Sequence, residues 1–172
     1  MKEKIEIITE RFKVRTLTEE DVTVRYLDWF DDYDIRRFIV TSGTISDIKE
    51  LRAYVREKTG REDVIFLGIF EKDTGLHIGN IKFEPVNYEM GYAVMGILIG
   101  DSSYRGKGVA SEILLACALW LKKQKNIKQM ILGVSEDNIG AIRAYKKAGF
   151  VEAVTEFLFL QKSEGITMVW SI

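Results

Sequence analysis

Residues 91–124 read GYAVMGILIGDSSYRGKGVASEILLACALWLKKQ, and their order decides the fold. Gly91–Ile99 is a run of apolar and small residues with the character of a strand. The stretch Tyr104-Arg105-Gly106-Lys107-Gly108-Val109-Ala110 follows it. From about 108 to 124, Val109, Ile113, Ala116, Cys117 and Trp120 recur at the spacing of one helical face, which predicts a long helix. A strand over Met130–Ser135 comes next. Strand, helix and strand in that order imply a parallel crossover.

The flanking sequence supplies the remaining elements. A first strand is expected over 5–15, from the loose alternation of Ile5, Ile7, Phe12 and Val14. Thr18 and the acids at 19–21 suit the start of a helix running from Val22 to Phe30. Ser46 is the expected cap of a second helix through Ile48, Leu51 and Val55. Val64–Phe70 and Leu76–Phe83 read as strands joined by the turn residues Asp73 and Gly75. A helix over Asn138–Ala148 and a final hairpin, about 155–161 with 166–171, complete the order β-α-α-β-β-β-α-β-α-β-β. The sheet is therefore mostly antiparallel, with one parallel crossover, in a single domain over 1–172.

The chain has 25 basic and 26 acidic residues, which gives no electrostatic reason to expect nucleic acid or an anionic membrane as partner. Cys117 is the only cysteine and lies on the apolar helix face, so a buried structural thiol in a reducing compartment is expected. His77 is the only histidine, and no metal site is expected around it. The opening residues, MKEKIEIITERFKVR, lack the apolar stretch of a signal peptide. No apolar run approaches the ~20 residues that span a bilayer. A cytoplasmic protein, monomer or homodimer, is the expectation.

Glycines at 106 and 108, just before a helix, permit left-handed backbone and close approach, while the helix start offers unpaired N–H groups. Such a junction can cradle a phosphate. It is not a Walker loop, because Gly108 rather than Ser or Thr follows Lys107, and not a dinucleotide fingerprint, because Ser111 stands where a third glycine belongs. Taken alone, an ordinary strand-to-helix turn packed on glycine explains it equally well. The later stretch 137–150, DNIGAIRAYKKAGF, places Asn138 at a helix start, Tyr145 seven residues on, and Gly149-Phe150 at the close. Capping accounts for Asn138 and Gly149, and a core tyrosine is one reading of Tyr145.

Together the two stretches resemble the GCN5-related N-acetyltransferase (GNAT) superfamily. Arg105, Gly108 and Ala110 match its Gln/Arg-x-x-Gly-x-Gly/Ala signature, and Asn138, Tyr145, Gly149 and Phe150 match its second pattern. The segment RYLDWFDDYDIRRFI (25–39) is similar to the branch of ribosomal-protein alanine acetyltransferases and amino-sugar acetyltransferases. The resemblance implies an α/β fold with a twisted mixed sheet and helices on both faces, and transfer of acetyl from acetyl-CoA to a primary amine without metal. The acceptor it implies is a protein N-terminus, an amino sugar or a small amine.

By the same resemblance, the backbone of Arg105, Gly106, Lys107, Gly108, Val109 and Ala110 holds the pyrophosphate. The main chain of Leu98, Ile99 and Gly100 meets the pantetheine, Asn138 lies beside that arm, and Tyr145 is the acid at sulfur. Trp29, Asp31 and Asp32, within 22–45, are the candidates for acceptor binding. One departure stands out: the family's glutamate in the strand before the Asn aligns with Gly133. Glu89, Glu136, Asp137, His77 and a water relay all remain open as the base. A non-catalytic acyl-CoA-binding module is the rival that this departure suggests, and a retained proton donor at Tyr145 weighs against it.

Overall fold

The computed structural model describes residues 4–38, 45–158, 160 and 165–172. Its strands are β1 (Glu6–Ile8), β2 (Phe12–Thr16), β3 (Ile65–Glu71), β4 (His77–Asn87), β5 (Tyr92–Ile99), β6 (Gln129–Val134), β7 (Val151–Glu152) and β8 (Ile166–Ser171). Its helices are α1 (Val24–Asp28), α2 (Tyr33–Phe38), α3 (Ile48–Gly60), α4 (Val109–Lys125) and α5 (Ile139–Ala148). The strands form one sheet in the order β1-β2-β3-β4-β5-β6-β8-β7. Only β5 and β6, joined by α4, run parallel; every other neighbouring pair is antiparallel.

Strand β3 explains the layering. Ile65, Leu67 and Ile69 belong to a core shared with α4 and α5, while Phe66 and Phe70 belong to a second core with Tyr26, Trp29, Phe30, Ile35, Leu51 and Val55. Side chains alternate across a strand, so an unbroken apolar run is what a strand with helices on both faces requires. Gly68 falls on the second face, where a Cβ would lie 2.6 Å from the Phe70 ring and 2.8 Å from Leu17.

Four features differ from the sequence expectation. The strand over 5–15 is two strands, folded back at Thr9–Arg11, where the Thr9 N–H donates to the Phe12 carbonyl at 2.8 Å. Ile7 and Phe12 are an odd number of residues apart, so one straight strand would turn them to opposite faces; the hairpin puts both in one core. The helix over 22–30 is shorter, with α1 giving way to a 3-10 turn over Trp29–Asp31, and a separate helix, α2, follows it. The cap of α3 is Asp47, whose Oδ1 accepts from Lys49 and Glu50 N–H at 2.7 and 2.9 Å, and Ser46 instead bonds to Glu50. At the C-terminus, the partner of β8 on its outer side is Val151–Glu152, directly after α5, and Thr155–Leu158 closes a tight turn. Gly149 makes this early return possible, with a φ of 126° and the Trp170 indole 2.7 Å from where a Cβ would stand. Residues 159 and 161–164 of the expected arm lie outside the described residues.

Two glycines in different settings test this packing. Gly68→Ala crowds Phe70 and Leu17 and is expected to cost about 1–3 kcal/mol of unfolding free energy. Gly60→Ala, at the end of α3 with no atom within 4 Å of its Cβ position, is expected to add about 0.4–1 kcal/mol. Urea titration of both variants checks the contrast, and equal effects would contradict the described packing.

Candidate functional site at the parting of β5 and β6

Pairing between β5 and β6 runs from Tyr92–Gln129 to Val94–Ile131 and then stops. Beyond that point β5 stays with β4, through Gly79–Ile99, and β6 stays with β8, through Val134–Ile166. The two strands therefore part toward their C-terminal ends, leaving main-chain groups of β5 along an open edge. The glycine loop and the start of α4 stand at the end of that edge.

Gly108 is the N-cap of α4, with φ 75° and ψ 9°, and it has no side chain to cap the helix. The first N–H groups of a helix have no partner within it, so those of Val109, Ala110 and Ser111 are left for a ligand or water. Gly106 is also left-handed, at φ 71°, and its Cβ position has open space around it. The Gly108 Cβ position has only Arg11 Nη2 nearby, at 3.9 Å. Arg11 is held there by Glu112 in the first turn of α4: its N–H and Nε donate to the two carboxylate oxygens at 3.0 and 2.7 Å. No sequence signal marks Arg11, because only the β1–β2 hairpin brings it to a loop far along the chain. A depression of about 480 Å³ lies on the hairpin side of this loop, lined by Arg11, Lys72, Tyr104 and Lys107 with acids interleaved.

Arg105 does not reach outward. Its Nε donates to the Ile99 carbonyl at 2.9 Å and its Nη2 to the Gly100 carbonyl at 3.1 Å. Its Nη1 meets Asp32 Oδ2 at 3.0 Å. The other Asp32 oxygen accepts from the Asp34 and Ile35 N–H groups at 2.9 and 3.2 Å and so caps α2. Partial burial opposes ionisation of Asp32, but those N–H groups and Arg105 outweigh it and hold the carboxyl below the usual range. Asp31 is exposed and paired with Arg36 at 2.7 Å. Trp29 is turned inward beneath Gly100, where a Cβ would run into the indole, and packs on Tyr26 and His77. Residues 39–44 of the expected acceptor segment lie outside the described residues.

On α5, Asn138 Oδ1 accepts from the Ala141 N–H at 3.2 Å and caps the helix. The Tyr145 ring is buried edge-on to Phe150, with centroids 5.7 Å apart. Burial pushes its hydroxyl up to about 12, and among the described residues that hydroxyl has no hydrogen-bond partner. Cys117 is wholly buried, and its thiol is likewise pushed up to about 12.

An acetyltransferase (GNAT) domain model matches residues 11–151. The chain belongs to the GNAT acetyltransferase family. Its members are acetyl-CoA-dependent N-acetyltransferases, and this chain is one of them. An N-acetyltransferase 9-like protein of Caenorhabditis briggsae is 24% identical over 158 residues, covering 87% of this chain and 79% of that protein. In fold, the chain is similar to the ribosomal L7/L12 α-N-protein acetyltransferase RimL in complex with coenzyme A, with TM-score 0.82, 15% identity and coverage of 98% and 97%. It is also similar to the ribosomal-protein-S5-alanine acetyltransferase of Vibrio fischeri, with TM-score 0.74, 15% identity and coverage of 97% and 96%.

Against the GNAT pattern, the place of the missing glutamate is filled. Leu160 Cδ1 lies 2.6 Å from the Gly133 Cβ position, so no carboxylate fits there unless Leu160 moves. Glu89 sits on the β4–β5 turn, roughly 25 Å of strand from the loop end of β5. His77 Nε2 donates to the Gly79 carbonyl at 3.0 Å and to Asn80 Oδ1 at 2.8 Å, which leaves Nδ1 buried and without a partner. Glu136 and Asp137 follow the end of β6, and Asp137 pairs with Arg37 at 3.2 Å.

Two outcomes follow from this geometry. Asn and Asp both tolerate left-handed backbone, so Gly108→Asn and Gly108→Asp share the same strain and differ in charge. Calorimetry should find acetyl-CoA at least about tenfold weaker on the Asp variant than on the Asn variant; equal affinities would move the phosphates elsewhere. The second concerns the single histidine. Desolvation lowers the His77 pKa, so the folded state binds a proton less readily than the unfolded state. Its contribution is complete above about 6.5 and is lost as pH falls toward the folded value. Unfolding free energy should therefore decline in the wild type as pH falls below about 6.5, and this slope should flatten in His77→Asn.

Proposed function

We propose that the chain moves an acetyl group directly from acetyl-CoA to a primary amine at the parting of β5 and β6. The observation that carries this reading is the uncapped, glycine-opened start of α4 at the end of the free β5 edge. Bound there, acetyl-CoA supplies an activated thioester. The N–H groups of 106–110 would hold its pyrophosphate, with Arg11 as a neighbouring cation. The main chain of Leu98, Ile99 and Gly100 would bond the pantetheine arm, and Asn138 would flank it. A β5 N–H would meet the oxygen that gains charge as the amine attacks. Residues 1–172 act as one such domain, and the buried lone thiol suits a reducing cytoplasm.

Tyr145 is the proton donor to the departing thiolate. Its hydroxyl stays protonated at neutral pH and makes no competing hydrogen bond among the described residues. With Leu160 over Gly133, the attacking amine arrives unprotonated or loses its proton to water near Glu136 and Asp137. The acceptor meets the α1–α2 segment: Asp31 offers an exposed carboxylate, whereas Trp29 and Asp32 shape the wall. A protein N-terminus, an amino sugar and a small amine all present the required nitrogen, and the RimL likeness favours the first.

Thiol release from acetyl-CoA, followed across a panel of N-terminal peptides, amino sugars and polyamines, tests the reaction itself. Binding of acetyl-CoA without amine-dependent thiol release would leave only a binding module. Tyr145→Phe keeps the ring in its place, so acetyl-CoA affinity should hold while kcat drops by about 10²–10⁴-fold. Unchanged kcat in the folded variant, with chemistry rate-limiting, would remove Tyr145 from the mechanism.

A further inference from the structure

We infer that Asp32 is a positioning residue for the cofactor site, acting through Arg105, and that it makes the acceptor-side segment and the phosphate loop one mechanical unit. The inference rests on the reading of 98–110 as the acetyl-CoA site. Arg105 clamps the carbonyls of Ile99 and Gly100, the last residues before the loop. What fixes the guanidinium on its far side is the Asp32 carboxylate. With side chains only 28% and 30% exposed, the pair is shielded more than an ordinary surface ion pair. Asp32 is itself immobilised, since its other oxygen caps α2.

Two further pairs tie the same segment down. Arg25 of α1 bonds to Asp101, whose carboxylate also accepts from the Ser103 N–H and hydroxyl at 3.0 and 2.7 Å. Arg37 of α2 bonds to Asp137. Asp101 and Arg105 follow β5, and Asp137 follows β6. Residues 25–37 are thus fastened to the loops on both sides of the cleft, and the Asp32–Arg105 pair is the attachment that also touches the cofactor-binding main chain. A ligand that orders Ile99 and Gly100 therefore favours the same α2 position that an acceptor meets, and the converse follows by linkage.

The sign of the effect separates positioning from plain charge. Removing a carboxylate near an anion site should tighten phosphate binding if only Coulomb attraction matters. Removing a residue that orients the strand end should weaken it. Asp32→Asn keeps the capping oxygen and loses the charge, and Asp32→Ser repeats the test with a different capping residue. By calorimetry, the acetyl-CoA Kd should rise about three- to tenfold in each. In an Arg105→Met background the same substitution should change Kd less than about twofold, because its route is gone. Without any ligand, amide hydrogen exchange at 98–101 should quicken in Asp32→Asn while 151–152 is unaffected. Tighter or unchanged Kd, an equal effect in the Arg105→Met background, or unaltered exchange at 98–101 each overturns the positioning role. Failure of the wild type to bind acetyl-CoA overturns the proposed function instead, and the ligand-free exchange measurement still decides whether Asp32 holds the strand end.

Discussion

The backbone ladder between β5 and β6 ends at Val94 and Ile131, and the rest of the site is arranged around that break. A parallel pair needs a long crossover, here α4, and the start of that crossover lies where the strands have parted. Main-chain polar groups left unpaired at a sheet interior demand partners, so the free edge is a standing place for an extended, amide-bearing ligand. The chain belongs to the GNAT family and keeps the fold at 13–20% identity to solved structures. On the proposed reading, recognition through the backbone accounts for how little sequence is needed, since hydrogen bonds to main chain constrain topology more than residue type.

The glycine loop follows the same logic. Gly106 and Gly108 are left-handed and open the start of α4, while the arginine of the signature turns inward to hold two carbonyls. The signature is therefore a description of a backbone shape and of the side chain that maintains it. Beside the loop's own Lys107, a further cation comes from Arg11, on a hairpin that Glu112 ties to α4.

Much of this was legible in the sequence, because helical spacing in α4 and the run of apolar residues in β3 are direct consequences of burial. The glycine loop and the Asn138-to-Phe150 pattern were legible because they reflect local backbone needs. What was not legible depended on contacts across the chain. The phase break between Ile7 and Phe12 marks the hairpin, but loose alternation alone predicts one strand. Trp29 and Asp32 look alike in sequence as members of an aromatic and acidic cluster; in the fold one lies under Gly100 and the other clasps Arg105. Leu160 over Gly133 is a pairing that no local pattern announces.

That last contact has a consequence for acceptor choice. An enzyme with a carboxylate at the centre of its cleft can strip a proton from a strongly basic amine; where the amine arrives unprotonated, as in the first route proposed above, turnover depends on how much free amine the solution already holds. At neutral pH roughly a tenth of protein α-amines are unprotonated, against fewer than about one in a thousand lysine side chains. On that reading, the apolar cover on Gly133 would favour weakly basic nitrogen by about two orders of magnitude before any contact with the rest of the acceptor is made.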